Sequence, residues 1–499
     1  MRVLFVSPEI YPLAKTGGLA DVSAALPLAL AALGCDVRVV LPGYPRAIEA
    51  AVDKAVPIDL AGICVAGAGP THLIAARTPD TQLPIWLVDC PAFFERAGGP
   101  YQDEHGSDWP DNAHRFALLS HVAARLALGD AATGWRADVV HANDWHTGLL
   151  PMFLAARGAD RPATVFTLHN LAFQGLFSPA LAPELGIPAS ALGVDGMEFY
   201  GNMSFLKAGI RYSDQLTTVS PSYAREILTP AYGCGLDGLL RERADDLVGI
   251  LNGADYRIWD PAIDPHLLAN FSATDVAGKR HCKQALQEEL GLEIDPEAPL
   301  VAYMSRITGQ KMADVVAEVL PALFERGVQL AILGEGDHGL EERFQAAART
   351  HPRRLAVHIG YQEPLAHRLQ AGADMLLHPS RFEPCGLTQL YAMRYGTVPI
   401  ATRTGGLADT IVDPGGQPVS RGTATGFTFA RTTSDGMIGC LDRALACYRH
   451  PVAWRKLQRE AMAQDFGWRR SARRYLGLYR DGVAGAAVPM ILEPDRVSV

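Results

Sequence analysis

Apolar residues fall along this chain in two kinds of run. Short runs carrying Val, Leu, Ile and Phe at Arg2–Val6, 36–41, 85–88, 139–142, 164–167 and 215–219 read as strands of a buried parallel sheet. Longer stretches at 19–33, Asn112–Leu128 and 145–157 read as helices. The opening is a βαβ unit: strand Arg2–Val6, a Gly-bearing loop at 15–18, a helix at 19–33 and a strand at 36–41, with the crossover helical as parallel strands require. The series ends at Ile250-Leu251-Asn252-Gly253, and a stretch with Pro261, Asp264 and Pro265 reads as a linker. A second series follows: strands at 300–305, 329–333, Leu355–Ile359, 374–377 and 398–401, helices at 311–325, 340–349 and 386–395. Alternation of strand and helix on both sides of one linker predicts an α/β chain of two doubly wound domains, 1–253 and 254–464. Such folds bind ligands outside the carboxyl ends of their strands, so the cleft between the domains is the expected site.

Composition narrows the class. With 499 residues, 48% hydrophobic and 20% charged, the chain has the make-up of a globular enzyme and enough apolar content for more than one core. Its net charge of −9 argues against general binding of nucleic acid or an anionic membrane. The N-terminus has a run of only four apolar residues, Val3–Val6, before Pro8, too few for the roughly 7–15 of a secretory core. The longest apolar candidate, 24–35, is about half a bilayer span and contains Pro27 and Gly34. Eight cysteines without a Cys-x-x-Cys suggest neither a zinc ribbon nor a disulfide framework. A cytoplasmic location is expected.

One hexapeptide occurs twice. Thr16-Gly17-Gly18-Leu19-Ala20-Asp21 returns as Thr404-Gly405-Gly406-Leu407-Ala408-Asp409, preceded by Lys15 in one copy and Arg403 in the other. With average residue usage such a pair has a chance probability of about a few per cent or less. Each copy follows a predicted strand and opens a helix, so glycine amides, a helix N-terminus and a base all point toward an anion. The plainer alternative is a pair of ordinary glycine turns. A third loop, Ser380-Arg381-Phe382-Glu383-Pro384-Cys385-Gly386-Leu387-Thr388, sets a carboxylate just before helix-start amides, a phosphate next to a sugar-hydroxyl acceptor. Arg306 and Lys311 follow the strand at 300–305. They supply a bidentate guanidinium and a mobile ammonium for a diphosphate. The clusters at 141–146 and 167–170 follow strands, and Trp145 with two polar clusters suits carbohydrate. Their spacing does not suit a metal.

These motifs together resemble the family of bacterial glycogen synthases and plant starch synthases. The resemblance runs through Lys15–Asp21, Asp111-Asn112-Ala113-His114-Arg115-Phe116, His141-Ala142-Asn143-Asp144-Trp145-His146 and His169-Asn170-Leu171-Ala172-Phe173-Gln174-Gly175. It continues at Ile250–Asp255, Glu383–Leu390 and Thr404–Asp409, and a final helix at 465–480 with Trp468 is similar to the family's C-terminal helix. The resemblance implies the GT-B glycosyltransferase fold, two Rossmann-like domains facing across a cleft. It also implies that 465–483 crosses back to the first domain and that 484–499 is a tail. The implied reaction moves glucose from ADP-glucose to the non-reducing end of an α-1,4-glucan (glycogen or a malto-oligosaccharide primer), with retention and with neither metal nor cofactor. Carried over residue by residue, Lys15 with Gly17 and Gly18 contacts the donor, and Arg306 and Lys311 neutralise the diphosphate. Glu383 binds glucose hydroxyls, and Gly386, Leu387 and Thr388 amides take the distal phosphate. Tyr361 stacks near adenine, His169 lies beside the anomeric carbon, and Asp21, Asp144 and Asn252 lie on the sugar and acceptor side.

Three positions depart from the family pattern: Met312 stands where a Gly often follows the lysine, Phe94 where a Tyr is expected, and Tyr391 where related transferases carry a second Glu. Rival readings are another donor on the same fold (UDP-glucose, or a sucrose- or phosphate-linked enzyme), a non-catalytic glucan-binding protein, and a nicotinamide dehydrogenase. Lys15, Arg306, Lys311 and Glu383 are all present, against the second. Gly334-Glu335-Gly336 lacks a third glycine, against the last.

Overall fold

A computed structural model describes residues 1–485 apart from 64, 418, 420 and 421; Cys64 and most of the tail at 484–499 lie outside the described residues. The chain forms two compact units. The first takes residues 1–219, 224–251 and the helix Trp468–Gly485; the second takes 220–223 and 252–467.

The first unit is built on a nine-stranded sheet. From one edge its strands are Leu247–Gly249, Gln215–Thr218, Ala163–Leu168, Val139–Asn143, Arg2–Val6, Asp36–Pro42, Pro84–Asp89, His72–Arg77 and Ile58–Asp59. The strands from Leu247–Gly249 to Pro84–Asp89 pair in parallel, while His72–Arg77 and Ile58–Asp59 are antiparallel. These two strands carry charged or polar ends and no long apolar run, so hydropathy alone passes over them. The chain winds outward from Arg2–Val6 in both directions, which makes the gap between Arg2–Val6 and Val139–Asn143 the switch point where this fold opens a crevice. The final helix packs on the first helix, Gly18–Ala31, and on Ala163–Leu168. It is anchored by Ser471 Oγ donating to Leu251 O at 2.5 Å and by Tyr479 Oη at 2.6 Å from His141 Nδ1.

The second unit has six parallel strands in the order Leu355–Ile359, Gln329–Gly334, Leu300–Met304, Met375–His378, Val398–Thr402, Phe427–Phe429. Alternation along Leu300–Met304 builds both cores. Val301 and Tyr303 join the cluster under helices Ala313–Glu325 and Ser434–Tyr448. Leu300, Ala302 and Met304 join the one under Ala277–Glu289, Glu363–Gly372 and Thr388–Arg394. The strands inside this sheet are buried on both faces, hence their apolar runs, while the edge strand Leu355–Ile359 is only partly buried. The switch point lies between Leu300–Met304 and Met375–His378.

Several boundaries differ from the spacing. The helix expected over 145–157 is broken: a 3-10 turn covers Trp145–Thr147 and the α-helix starts at Leu149. Gly148 sits in the break, where a Cβ would run into the Phe205 carbonyl. The final helix begins at Trp468 rather than 465, because Asp465 Oδ1 accepts from Gly467 N at 2.8 Å and holds the chain in a turn. The helix expected from 311 begins at Ala313 and the one expected from 386 begins at Thr388. Both shifts lie at the site. Among the described residues no helix is long and apolar enough to cross a membrane.

Candidate active site

In the second unit the two loops leaving the switch-point strands meet. Lys311 Nζ donates to Glu383 Oε2. The same oxygen also accepts from Ser380 Oγ at 2.9 Å and lies 3.2 Å from His378 Nε2. Three partners on one oxygen fix the carboxylate and leave Oε1 with no hydrogen bond from the described residues. Glu383 is buried. Burial would raise its pKa, but the Lys311 charge and the His378 and Lys311 hydrogen bonds outweigh it and hold the carboxyl well below the usual range. It stays an ionised acceptor, as a sugar-hydroxyl ligand must.

The residue after Lys311 has an unusual backbone. Met312 has φ 52, in the left-handed region, which costs a non-glycine residue of order 1 kcal/mol. This is the physical reason a glycine suits that place. Here a fully buried methionine side chain in the unit's core offsets the strain, at about 1.5–3 kcal/mol for full burial. Arg306 reaches Gln310 Oε1 at 3.3 Å, and the Tyr303 hydroxyl donates to Lys311 O at 3.0 Å. Gly386 has φ 72 and lies so close to the Gln389 amide that a Cβ would collide with it. Leu387 and Thr388 follow at the start of Thr388–Arg394. Tyr391, at the position of the absent second carboxylate, stacks on Trp259 at 4.1 Å and so belongs to the core. Asn252 is buried with Oδ1 unpartnered among the described residues. Tyr361 is exposed, its hydroxyl donating to Glu363 at 3.2 Å.

The first unit has its own polar cluster at its switch point. The Glu9 carboxylate accepts from the amides of Thr16 (2.5 Å) and Gly17 (3.1 Å) and, on its other oxygen, from the Tyr101 hydroxyl (2.5 Å). Of the two glycine amides that the spacing aims at a phosphate, that of Gly17 is thus turned, with the Thr16 amide, to an internal carboxylate. Lys15 Nζ lies 2.9 Å from Asp21 Oδ1, and Gly18 opens the helix. Burial pushes the Glu9 carboxyl up against the lowering effect of these donors. Asp144 has φ 60, a strained backbone for a non-glycine residue and the kind that gathers at functional sites; burial pushes its carboxyl up to about 8.

His169 follows Ala163–Leu168, with Nε2 3.0 Å from Asn143 Oδ1. Burial lowers its pKa to about 3, so the ring is neutral. Two sugar-facing expectations are corrected here. His141 points into the core, between Tyr479 Oη and Thr167 Oγ1, each at 2.6 Å. The Trp145 ring is only partly exposed, packed against His146 at 3.9 Å and against Gly175, which reduces the face a sugar stacks on. Phe94 is buried against Tyr44 at 5.8 Å. Sequence reasoning passed over Glu9, Tyr101, His378 and Ser380. Glu9 and His378 were signalled by their place at strand ends flanking the switch points; Tyr101 depends on a loop without periodicity. Among the described residues no group of three or more His, Cys, Asp or Glu is placed to hold a metal ion.

Two doubly wound units, one holding a buried carboxylate beside Lys311 at its switch point, have the architecture of a GT-B glycosyltransferase, and the family comparisons agree. Residues 2–242 match the starch synthase catalytic domain family and 288–461 match glycosyl transferases group 1. Full-length relatives carry the assignment further. The glycogen synthase of Paramagnetospirillum magneticum is 55% identical, covering 96% of this chain and 97% of its own. That of Burkholderia thailandensis is 54% identical, covering 95% and 90%. The catalytic domain of starch synthase IV from Arabidopsis thaliana, solved bound to ADP and acarbose, superposes with TM-score 0.87 at 31% identity, over 97% of this chain and 99% of that one. A sucrose-phosphate synthase from Thermosynechococcus elongatus shares the fold alone, at TM-score 0.59 and 17% identity. The chain belongs to the glycogen and starch synthase family.

Proposed function

We propose that this enzyme transfers glucose from ADP-glucose to the non-reducing end of an α-1,4-glucan, with retention of configuration, as a cytoplasmic step of glycogen synthesis. The observation that carries the reading is the Lys311–Glu383 pair at the second unit's switch point, with Ser380 and His378 on the same carboxylate oxygen. Breaking a glycosyl–phosphate bond builds positive charge on the sugar and negative charge on ADP. Arg306 and Lys311 meet the departing diphosphate, with Lys15 as a further cation, and preorganised charge is most effective where charge develops. The free Glu383 oxygen accepts from glucose hydroxyls. The amides of Gly386, Leu387 and Thr388 receive the distal phosphate, and Tyr361 lies along the adenine. Asp21, Asp144 and Asn252 serve the sugar and acceptor.

The backbone carbonyl of His169 faces the developing cation, while its ring, neutral through burial, adds no opposing charge. Retaining glycosidases use a carboxylate nucleophile; no side chain is assigned that part here, and attack comes from the face the diphosphate leaves, assisted by its oxygen. Diphosphate neutralisation is assigned to side chains, with no step given to a metal ion. Support for ADP over other nucleotides comes from the plant starch synthase IV, solved with ADP. The test is incorporation of labelled glucose into glycogen from ADP-glucose and UDP-glucose by wild type and Glu383→Ala. ADP-glucose is the strongly preferred donor, and the variant loses about 10²–10³-fold in turnover with its fold intact. Near-normal activity of Glu383→Ala would overturn the site.

A further inference from the structure

Arg381 lies two residues before Glu383, and its contacts bracket Lys311 on both sides. Its guanidinium donates to Gly309 O, two residues before the lysine. It also makes a bidentate pair with Asp314, three residues after it, at 2.9 and 2.7 Å. The backbones of the same two loops are stitched as well: Arg381 N donates to Gln310 O at 2.8 Å and Gln310 Nε2 to Phe382 O at 3.2 Å. Between these ties the chain takes the left-handed turn at Met312.

Both members of the ion pair are open to solvent, with side chains 40% and 44% exposed, and such a pair adds little to stability. Its geometry is nonetheless specific. A guanidinium can hold a carboxylate with two parallel bonds and keep a donor for a carbonyl; an ammonium cannot do both.

We propose that Arg381 is a positioning residue for Lys311, setting through Gly309 and Asp314 where the lysine ammonium stands relative to Glu383. The inference rests on the function proposed above, in which Lys311 meets the leaving diphosphate. A cation displaced by about 1 Å costs of order 10–100-fold in rate, whereas loss of an exposed pair leaves folding almost untouched.

The experiment measures kcat and KM for ADP-glucose, with the apparent Tm, for Arg381→Met, Asp314→Asn, Arg381→Lys, Lys311→Ala and the double variant Arg381→Met/Lys311→Ala. Arg381→Met and Asp314→Asn each lower kcat by about 10-fold or more with Tm unchanged. Arg381→Lys recovers part of the loss. In the Lys311→Ala background Arg381→Met costs nothing further, because the residue it positions is gone. Turnover within about twofold of wild type for Arg381→Met, or a loss that multiplies with that of Lys311→Ala, overturns the inference. Wild-type turnover in Lys311→Ala sinks the site reading itself, a separate result.

Discussion

Residues 16–21 and 404–409 are the same six letters, and the fold uses them in opposite ways. The first copy opens a helix of 14 residues, with Thr16, Gly17 and Gly18 exposed and two of its amides held by the Glu9 side chain. The second opens a helix of six, with Thr404, Gly405, Gly406 and Leu407 buried. Its Gly406 amide donates to the Glu383 backbone carbonyl at 3.1 Å, and Asp409 accepts from Ser222 N and Oγ, both at 2.7 Å. One copy presents a base on an open loop. The other clamps the backbone that carries the site carboxylate. A shared motif therefore reports a shared turn, while the chemistry is decided by what packs behind it.

The largest difference is expected at the second glycine of the buried copy. A Cβ on Gly406 would run into the Cys385 carbonyl, a backbone atom that cannot step aside, whereas Gly17 has nothing within 4 Å of its Cβ position and an extended φ of −153. Gly406→Ala should therefore lose about 3 kcal/mol or more, the upper range of overpacking, and Gly17→Ala should stay within about 1 kcal/mol. Urea denaturation of the two variants decides it. Equal losses would break the contrast between clamp and open loop.

The next contrast concerns the two bases. If only the first copy meets a ligand, Lys15→Ala lowers kcat/KM for ADP-glucose by about 10²-fold at unchanged Tm. Arg403→Ala, whose backbone amide already donates to Phe429 O at 2.8 Å, then stays within about twofold. A large activity loss in both variants would restore the symmetrical reading in which each loop holds phosphate.

Much of this is legible in the sequence. The apolar runs placed the parallel strands because doubly buried strands have little choice of residue, and strand ends at a switch point are where this fold gathers polar side chains. Glu383 and Lys311 stood out as charges in such places. What the letters hid depends on neighbours distant in sequence. His141 and Trp145 look like sugar ligands until Tyr479 and Gly175 are seen against them. The tie between Arg381 and Asp314 spans 67 residues. The loop amides of the first copy look free until Glu9 is found beneath them. Burial, which sets the charge state of Glu9, Asp144 and His169, is a property of the assembled unit and has no local signature.

The smallest effect separates the two loops by sign. Glu9, under the first copy, has its pKa raised by burial, so the folded state favours the protonated form. Its contribution is present at low pH and fades as pH climbs from the unfolded value of about 4.3 through the folded one. Glu383, whose backbone carbonyl is held by the second copy, is shifted the other way. Lys311 and His378 outweigh burial and favour the ionised form, so its contribution is present above about 4.3 and is lost as pH falls toward the folded value. Apparent Tm measured from pH 3 to 8 for wild type, Glu9→Gln and Glu383→Gln should show opposite trends. Glu9→Gln gains on wild type as pH rises, because the glutamine escapes the cost of burying a charge while its carbonyl still accepts from Thr16 and Gly17. Glu383→Gln falls short of wild type by a steady amount from pH 8 to about 5, and the gap narrows only as pH falls below about 4.3. If both differences ran in the same direction with pH, the two carboxylates would be sitting in the same kind of environment, and the contrast between the loops would reduce to exposure alone.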